Sequence, residues 1–163
     1  IPKEGLKATD RFQHSSKTWP YSIPVAFPRF VDIYSEARLH DSYGRIEDKD
    51  GATFKASLEQ ALARKSRIIQ LVTWNDWGEG TNIEPCREYG YRDLEIVQNF
   101  RRQHIDADFA PAPADLRLPV KLLERRREVS SSAQTLQLDK VVAFLAAGRV
   151  SEARASLEMA TGK

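Results

Sequence analysis

The sequence predicts a parallel α/β unit followed by a small α-helical extension. Three observations carry that reading: two apolar runs of strand length each lead into an amphipathic helix, a Pro/Ala connector lies near residue 110, and composition changes there. Of the 15 aromatic residues, only Phe109 and Phe144 lie beyond residue 103. Successive strand–helix pairs imply parallel strands joined by right-handed crossovers. In such sheets ligands bind at the loops that follow the strand C-termini.

The first strand is read over Ile23-Pro24-Val25-Ala26-Phe27 and is stopped by Pro28. Residues 29–50 are polar, and too long and too rich in Tyr, Asp and Gly for a plain turn. A helix then opens at Gly51-Ala52-Thr53, with Thr53 as its expected N-cap. Its Phe54, Leu58, Ala61 and Leu62 recur at helical spacing and form one apolar face. The second strand, Ile68-Ile69-Gln70-Leu71-Val72-Thr73, is almost continuously apolar, as expected of a strand buried on both faces. A loop over 74–90 follows, then a helix with Leu94, Val97 and Phe100 expected on its inner side.

The connector Asp106-Ala107-Asp108-Phe109-Ala110-Pro111-Ala112-Pro113-Ala114 reads as extended, because its two prolines disfavour helix in the residues before them. Three helices are expected beyond it, over 118–128, 134–147 and 150–160. Pro119 is tolerated in the first turn of the first. Leu138, Val141, Val142 and Leu145 form a stripe on the second, Gly148 punctuates, and Val150, Ala153, Leu157 and Ala160 repeat the pattern. The residues around Gly148 resemble the turn of a tetratricopeptide-type hairpin, but a solenoid needs about three repeats and only one unit is visible. The domain reading is therefore 1–103, a connector over 104–118, and a helical hairpin extension over 119–163.

Composition narrows the function classes. At 163 residues and 18.5 kDa the chain has the size of one ordinary domain, or one and a small appendage. Its 41% hydrophobic and 29% charged residues are globular rather than disordered proportions. With 25 Lys and Arg against 23 Asp and Glu, the net charge of +2 gives no electrostatic footprint for nucleic acid. No apolar run is long enough for a membrane-spanning helix. A single cysteine, Cys86, excludes an internal disulfide framework and a multi-Cys zinc site, and its expected role is structural or incidental. His14, His40 and His104 show no ligand spacing, so no metal site is expected. The run Glu124-Arg125-Arg126-Arg127-Glu128 reads as a solvated helix face. The chain begins Ile1-Pro2 without Met or a visible signal peptide, which fits a processed chain or a piece of a longer one.

The densest chemistry lies in Thr73-Trp74-Asn75-Asp76-Trp77-Gly78-Glu79-Gly80-Thr81-Asn82-Ile83-Glu84-Pro85, directly after the most strand-like segment. Asp76 and Glu79 can converge from one loop as a carboxylate pair, one donating a proton to a glycosidic bond and the other accepting one. Trp74 and Trp77 can stack on sugar rings, while Asn75 and Glu84 can hydrogen-bond hydroxyls. Gly78 and Gly80 allow sharp turns and a close approach of the backbone. The competing reading of each residue alone is packing or loop capping. Packing explains the combination less well, because clustered acids repel. Asp32, Tyr34 and Tyr43, in the loop after the first strand, are candidates for the same mouth. Arg29 can bind a substrate hydroxyl or pair with Asp32, and the pairing is the favoured expectation.

This motif, with Pro28-Arg29-Phe30-Val31-Asp32-Ile33-Tyr34, Ser42-Tyr43-Gly44, Asp50-Gly51, Thr53-Phe54 and Glu88-Tyr89-Gly90-Tyr91 in order around it, resembles the strand-8 region of glycoside hydrolase families 71 and 99. These group α-1,3-glucanases, and endo-α-1,2-mannosidases with mannanases. The resemblance covers about residues 19–103. It implies the C-terminal portion of a (β/α)8 TIM-type barrel, strands 7 and 8, followed by a small α-helical tail. A whole barrel needs about 250 residues, so the missing N-terminal part of the barrel is an expected partner. It further implies cleavage of α-linked glycans, α-mannan or α-glucan, without cofactor, and a secreted or periplasmic setting.

By position Glu79 matches the families' general acid/base and Asp76 the partner carboxylate. In the mannosidase branch that partner is usually Glu, acting on the substrate's own 2-hydroxyl, whereas Asp is closer to the glucanase branch. Retention and inversion both stay open: a carboxyl separation of about 5–5.5 Å favours the first and about 6.5–9.5 Å the second. Two alternatives stand beside hydrolysis: a non-catalytic carbohydrate-binding or polysaccharide-assembly protein, and an interaction module resting on the helical hairpin.

Overall fold

A computed structural model describes residues 5–160 of the chain. The architecture is mixed α/β and divides into two compact units, the first ending at Phe100 and the second beginning at Arg101.

In the first unit, β1 (Val25–Ala26) and β4 (Gln70–Leu71) pair in parallel, with Val25 opposite Gln70 and Ala26 opposite Leu71. Helix α3 (Ala52–Leu62) lies between them in sequence, as a parallel crossover requires. Hydrogen bonds from Gln70 N–H to the Pro24 carbonyl and from Val72 N–H to the Ala26 carbonyl, both 2.9 Å, complete the ladder. Ser57 of α3 pins the helix to the end of β1: its Oγ accepts from the Phe27 N–H at 3.1 Å and lies 2.9 Å from the Phe27 carbonyl. The core joins Ala26, Phe54, Leu58, Ile83, Ile96 and Phe100. Ile96 and Phe100 come from α4 (Arg92–His104), with Val97 packed against them as expected; Leu94 is only half-buried, and Ile96 and Asp93 are buried on that helix instead.

Two expectations are corrected. Helix α3 is capped at Gly51, whose φ of 78° and 2.7 Å approach to Ile96 Cδ1 at the β-carbon position leave room only for glycine. Asp48 supplies the capping carboxylate by accepting from the Gly51 N–H at 3.2 Å. Thr53, inside the first turn, donates its hydroxyl to the Glu47 carbonyl at 2.6 Å instead. The second correction concerns β4: Ile68 is 60% exposed and Leu71 and Val72 are only half-buried. Among the described residues β4 has one neighbouring strand, and Gln70 and Val72 line an open cavity of about 1030 Å³.

The polar stretch after β1 holds structure that periodicity does not reveal. Strand β2 (Phe30–Val31) pairs antiparallel with β3 (Arg45–Ile46), and the four-residue helix α2 (Ile33–Glu36) follows β2. Elements this short present no repeat to read. Helix α1 (Leu6–Ser15) also lacks an apolar signature, because its buried residues are Ala8, Thr9 and Gln13.

The second unit contains α5 (Leu118–Glu128), α6 (Ser132–Ala146) and α7 (Val150–Met159). Ser131 caps α6 by accepting from the Gln134 N–H at 3.2 Å. Gly148, with φ of 70°, turns the chain between α6 and α7. Leu118, Leu122, Leu138, Val141, Ala153 and Leu157 form this unit's core, whereas Val142 is 43% exposed. The arginine run on α5 faces solvent, with Arg125 paired to Glu128 and Arg126 to Asp139.

Both cores make the same kind of prediction. Phe54→Ala should cost about 3–5 kcal/mol and Leu138→Ala about 2–5 kcal/mol, measured as shifts of the urea unfolding midpoint against the unsubstituted chain.

Candidate functional site

The residues after β4 form a loop closed at its neck. Thr73 N–H donates to the Thr81 carbonyl at 3.1 Å, Ile83 N–H to the Thr73 carbonyl at 3.0 Å, and the two threonine hydroxyls lie 2.8 Å apart. Inside this neck the chain orders itself through side chains. Thr73 Oγ1 accepts from the Asp76 N–H at 3.1 Å, and Asp76 Oδ1 accepts from the Glu79 N–H at 3.0 Å. Asp76 therefore caps the loop backbone and fixes the start of Glu79.

A second segment runs beside the loop. Val31 N–H donates to the Glu79 carbonyl at 2.8 Å and Ile33 N–H to the Gly78 carbonyl at 3.2 Å. Close approach explains both glycines. A β-carbon at Gly78 would lie 2.2 Å from Tyr34 Oη, and one at Gly80 would lie 2.9 Å from Val31 Cβ at a φ of 62°. Within this chain the close approach is to Tyr34 and Val31.

Glu79 is half-buried at the edge of the open cavity, which Tyr43 also lines. Burial pushes its carboxyl above the usual 4.5, and the neighbouring carboxylates of Asp76 and Asp32 push it further in the same direction. Asp32 is buried and serves the backbone: Oδ1 accepts from Tyr34 N–H and Ser35 N–H at 3.1 and 3.3 Å, and Oδ2 from Tyr43 N–H at 3.1 Å. It thereby caps α2 and gathers the loop that carries Tyr34 and Tyr43. Tyr43 stacks on His40 with ring centroids 4.3 Å apart.

Of the nine residues expected at the site, Glu79 and Tyr43 line the cavity, Asp76 and Asp32 flank Glu79, and the Tyr34 hydroxyl sits on Gly78. Trp74 and Trp77 are about half exposed and Asn75 is exposed on the same loop. Glu84 closes that loop's far end, its N–H donating to the Trp74 carbonyl at 2.9 Å. The cavity wall is otherwise largely apolar, with Phe12, Ile23, Val25 and Val72.

Arg29 does not pair with Asp32. Its guanidinium turns inward, 1% exposed, and binds Asp93 with both terminal nitrogens at 2.7 Å and Asp48 at 3.2 Å. The physical reason is that Asp32 is occupied by backbone N–H groups while Asp93 sits buried on α4. Sequence reasoning missed this cluster, since 64 residues separate Arg29 from Asp93. It also missed His40, whose place beside Tyr43 depends on loop geometry alone. Cys86 is half-buried, and its Sγ accepts from the Tyr89 N–H at 3.3 Å. Among the described residues no group of three or more His, Cys, Asp or Glu is arranged to hold a metal ion, and no helix is long and apolar enough to cross a membrane.

Residues 10–97 match the model of the protein family described as glycosyltransferase WbsX. No curated protein matches the chain. Similar solved structures include two of the GH99 endo-alpha-mannosidase from Bacteroides thetaiotaomicron. The first, in complex with Bis-Tris-propane, matches at 20% identity and a TM-score of 0.43 over 60% of this chain and 35% of that one. The second matches with the same identity and TM-score over 65% of this chain and 34% of its own. The chain thus spans about a third of the length of the structures it matches.

The crowding of acids makes a stability prediction. Glu79 titrates higher in the fold than in the unfolded chain, so its contribution is fully present below the usual 4.5 and is lost as pH rises through the raised value. Glu79→Gln should therefore raise the thermal midpoint at about pH 7 and leave it nearly unchanged at about pH 4, as read by calorimetry at both values. Gly78→Ala should lower the midpoint at either pH, because its methyl meets Tyr34.

Proposed function

The chain belongs to the protein family described as glycosyltransferase WbsX, and on that premise we propose that it acts on glycosidic bonds, with Glu79 as acid/base and Asp76 as the partner carboxylate. The observation that supports this most is the setting of Glu79: a carboxyl at a cavity edge, raised by burial and by two neighbouring carboxylates. A carboxyl that holds its proton more tightly than usual can protonate a departing glycosidic oxygen and then, as carboxylate, deprotonate the attacking water or sugar hydroxyl. Asp76 is held three residues away by its hydrogen bond to the Glu79 N–H, which keeps the two acids on one turn.

The surrounding residues take binding roles in this reading. Trp74, Trp77, Tyr34 and Tyr43 offer ring faces to sugars, and Asn75 and Glu84 offer hydrogen bonds to hydroxyls. Asp32 orders the loop carrying the two tyrosines. Strands β1 and β4 are the seventh and eighth strands of a (β/α)8 barrel, a reading supported by their parallel pairing across α3 and by the site's position after both strands. The other six strand–helix units of such a barrel would provide the facing wall. The substrate class is an α-linked glycan, α-mannan or α-glucan, and no cofactor is required.

A second reading, transfer of a glycosyl unit to a sugar hydroxyl instead of to water, is favoured by the description of the matched family. The same carboxylate pair serves both, and the acceptor decides between them.

The test is direct. Glu79→Gln should lower cleavage of α-mannan or α-glucan oligosaccharides by about 10²–10⁴-fold while binding persists. Unaltered turnover in that variant would remove Glu79 from the mechanism. Product formed only with an activated sugar and an acceptor would establish transfer. If Trp77→Ala abolishes sugar binding in a chain that cleaves and transfers nothing, the protein is a binding module.

A further inference from the structure

The carboxylate loop is fixed from outside by a residue that lines the cavity wall but turns its charge away from it. Arg29 follows β1 and Pro28, and its guanidinium is enclosed: Tyr89 lies over it with 3.5 Å from Cζ to the ring centroid. All four of its terminal N–H groups have acceptors. Nη1 donates to Asp48 and Asp93, and Nη2 donates to Asp93 and, at 2.7 Å, to the Asn82 carbonyl. Asn82 is three residues beyond Glu79.

The residues that follow continue the contact, Val31 N–H to the Glu79 carbonyl and Ile33 N–H to the Gly78 carbonyl. Residues 29–33 thus run alongside residues 78–82, joined by two backbone hydrogen bonds and, beside them, by the side-chain bond from Arg29 to the Asn82 carbonyl. Arg92 supports the anion side by binding Asp48 at 2.6 Å and Asp93 at 3.1 Å. The planar fork matters: lysine offers one ammonium and cannot bind a carboxylate with two nitrogens while also reaching a carbonyl.

We propose that Arg29 is the positioning residue of the site, holding Glu79 in register opposite Val31 by anchoring the Asn82 carbonyl to the buried ionic cluster of Asp93, Asp48 and Arg92. The proposal rests on the reading of Glu79 as acid/base, but its test does not need activity.

The experiment is amide hydrogen exchange by NMR on the whole chain, comparing Arg29→Met and Arg29→Lys with the unsubstituted protein. Positioning predicts that exchange at the Val31 and Ile33 amides accelerates by roughly tenfold or more, while the α3 amides of residues 56–61 change little. Unchanged protection at Val31 and Ile33 in a folded variant overturns the proposal. If Arg29→Met does not fold, Arg29→Lys decides: selective acceleration at the two amides supports positioning, and unchanged protection, uniform loss across α3 and α4, or failure to fold assigns Arg29 to general stability and overturns it. Where the unsubstituted chain cleaves α-glycans, kcat should fall in Arg29→Lys with KM nearly unchanged. Where it cleaves nothing, the functional reading falls and the exchange result still decides the role of Arg29.

Discussion

The buried guanidinium of Arg29 is the constraint on which the first unit depends. A cation with 1% of its surface exposed is tolerable only where each charge has a partner. Here Asp93 and Asp48 supply the anions, Arg92 shares both, and Tyr89 covers the plane. Burial, and to a lesser extent the Asp48 carboxylate, push the Asp93 carboxyl up, and the two arginines oppose them by favouring its ionised form. The cluster draws on the turn after β1, the segment before α3, the loop after β4 and the first turn of α4. Four segments distant in sequence are thereby tied to one point, and the carboxylate loop is one of them.

Against that rigid base the loop itself is electrostatically unfavourable. Asp76 and Asp32 both raise the Glu79 carboxyl, and a fold gains nothing from such a grouping. The loop resists by spending its carboxylates on backbone N–H groups: Asp76 on Glu79, and Asp32 on Tyr34, Ser35 and Tyr43. The bland and the functional readings of these acids are therefore not exclusive. One carboxylate orders the chain and in doing so sets where another one stands. Glycines 78 and 80 serve the same end, because any side chain there would push the loop off Tyr34 or Val31.

The second unit follows a simpler rule. Its three helices share a core of leucine, valine and alanine, and its one buried acid, Asp115, is met by Arg154 and by the Ala112 N–H. Apolar spacing was enough to find these helices. It was not enough to say which edge of each stripe is buried, since Val142 lies within the stripe yet stays 43% exposed.

Much of the fold and of the site was legible in the residue order, and the limit has a physical cause. Local signals mark local structure: strand-length apolar runs gave β1 and β4, the i, i+4, i+7 face gave α3, and the density of acids, aromatics and glycines after β4 marked the loop of the candidate site. What remained hidden are features made by contact at a distance or by elements too short to repeat. The two-residue strands β2 and β3, the true cap of α3, the half-exposed face of β4, and the inward turn of Arg29 all belong to that class. Residue order alone was enough to mark β1, β4, α3 to α7 and the loop that holds the candidate site, because hydrophobic periodicity and residue type act within a few residues. Only the tertiary structure decided which charges are buried, which carboxylates hold backbone and which one meets the cavity, because desolvation and ion pairing depend on what the folded chain places alongside.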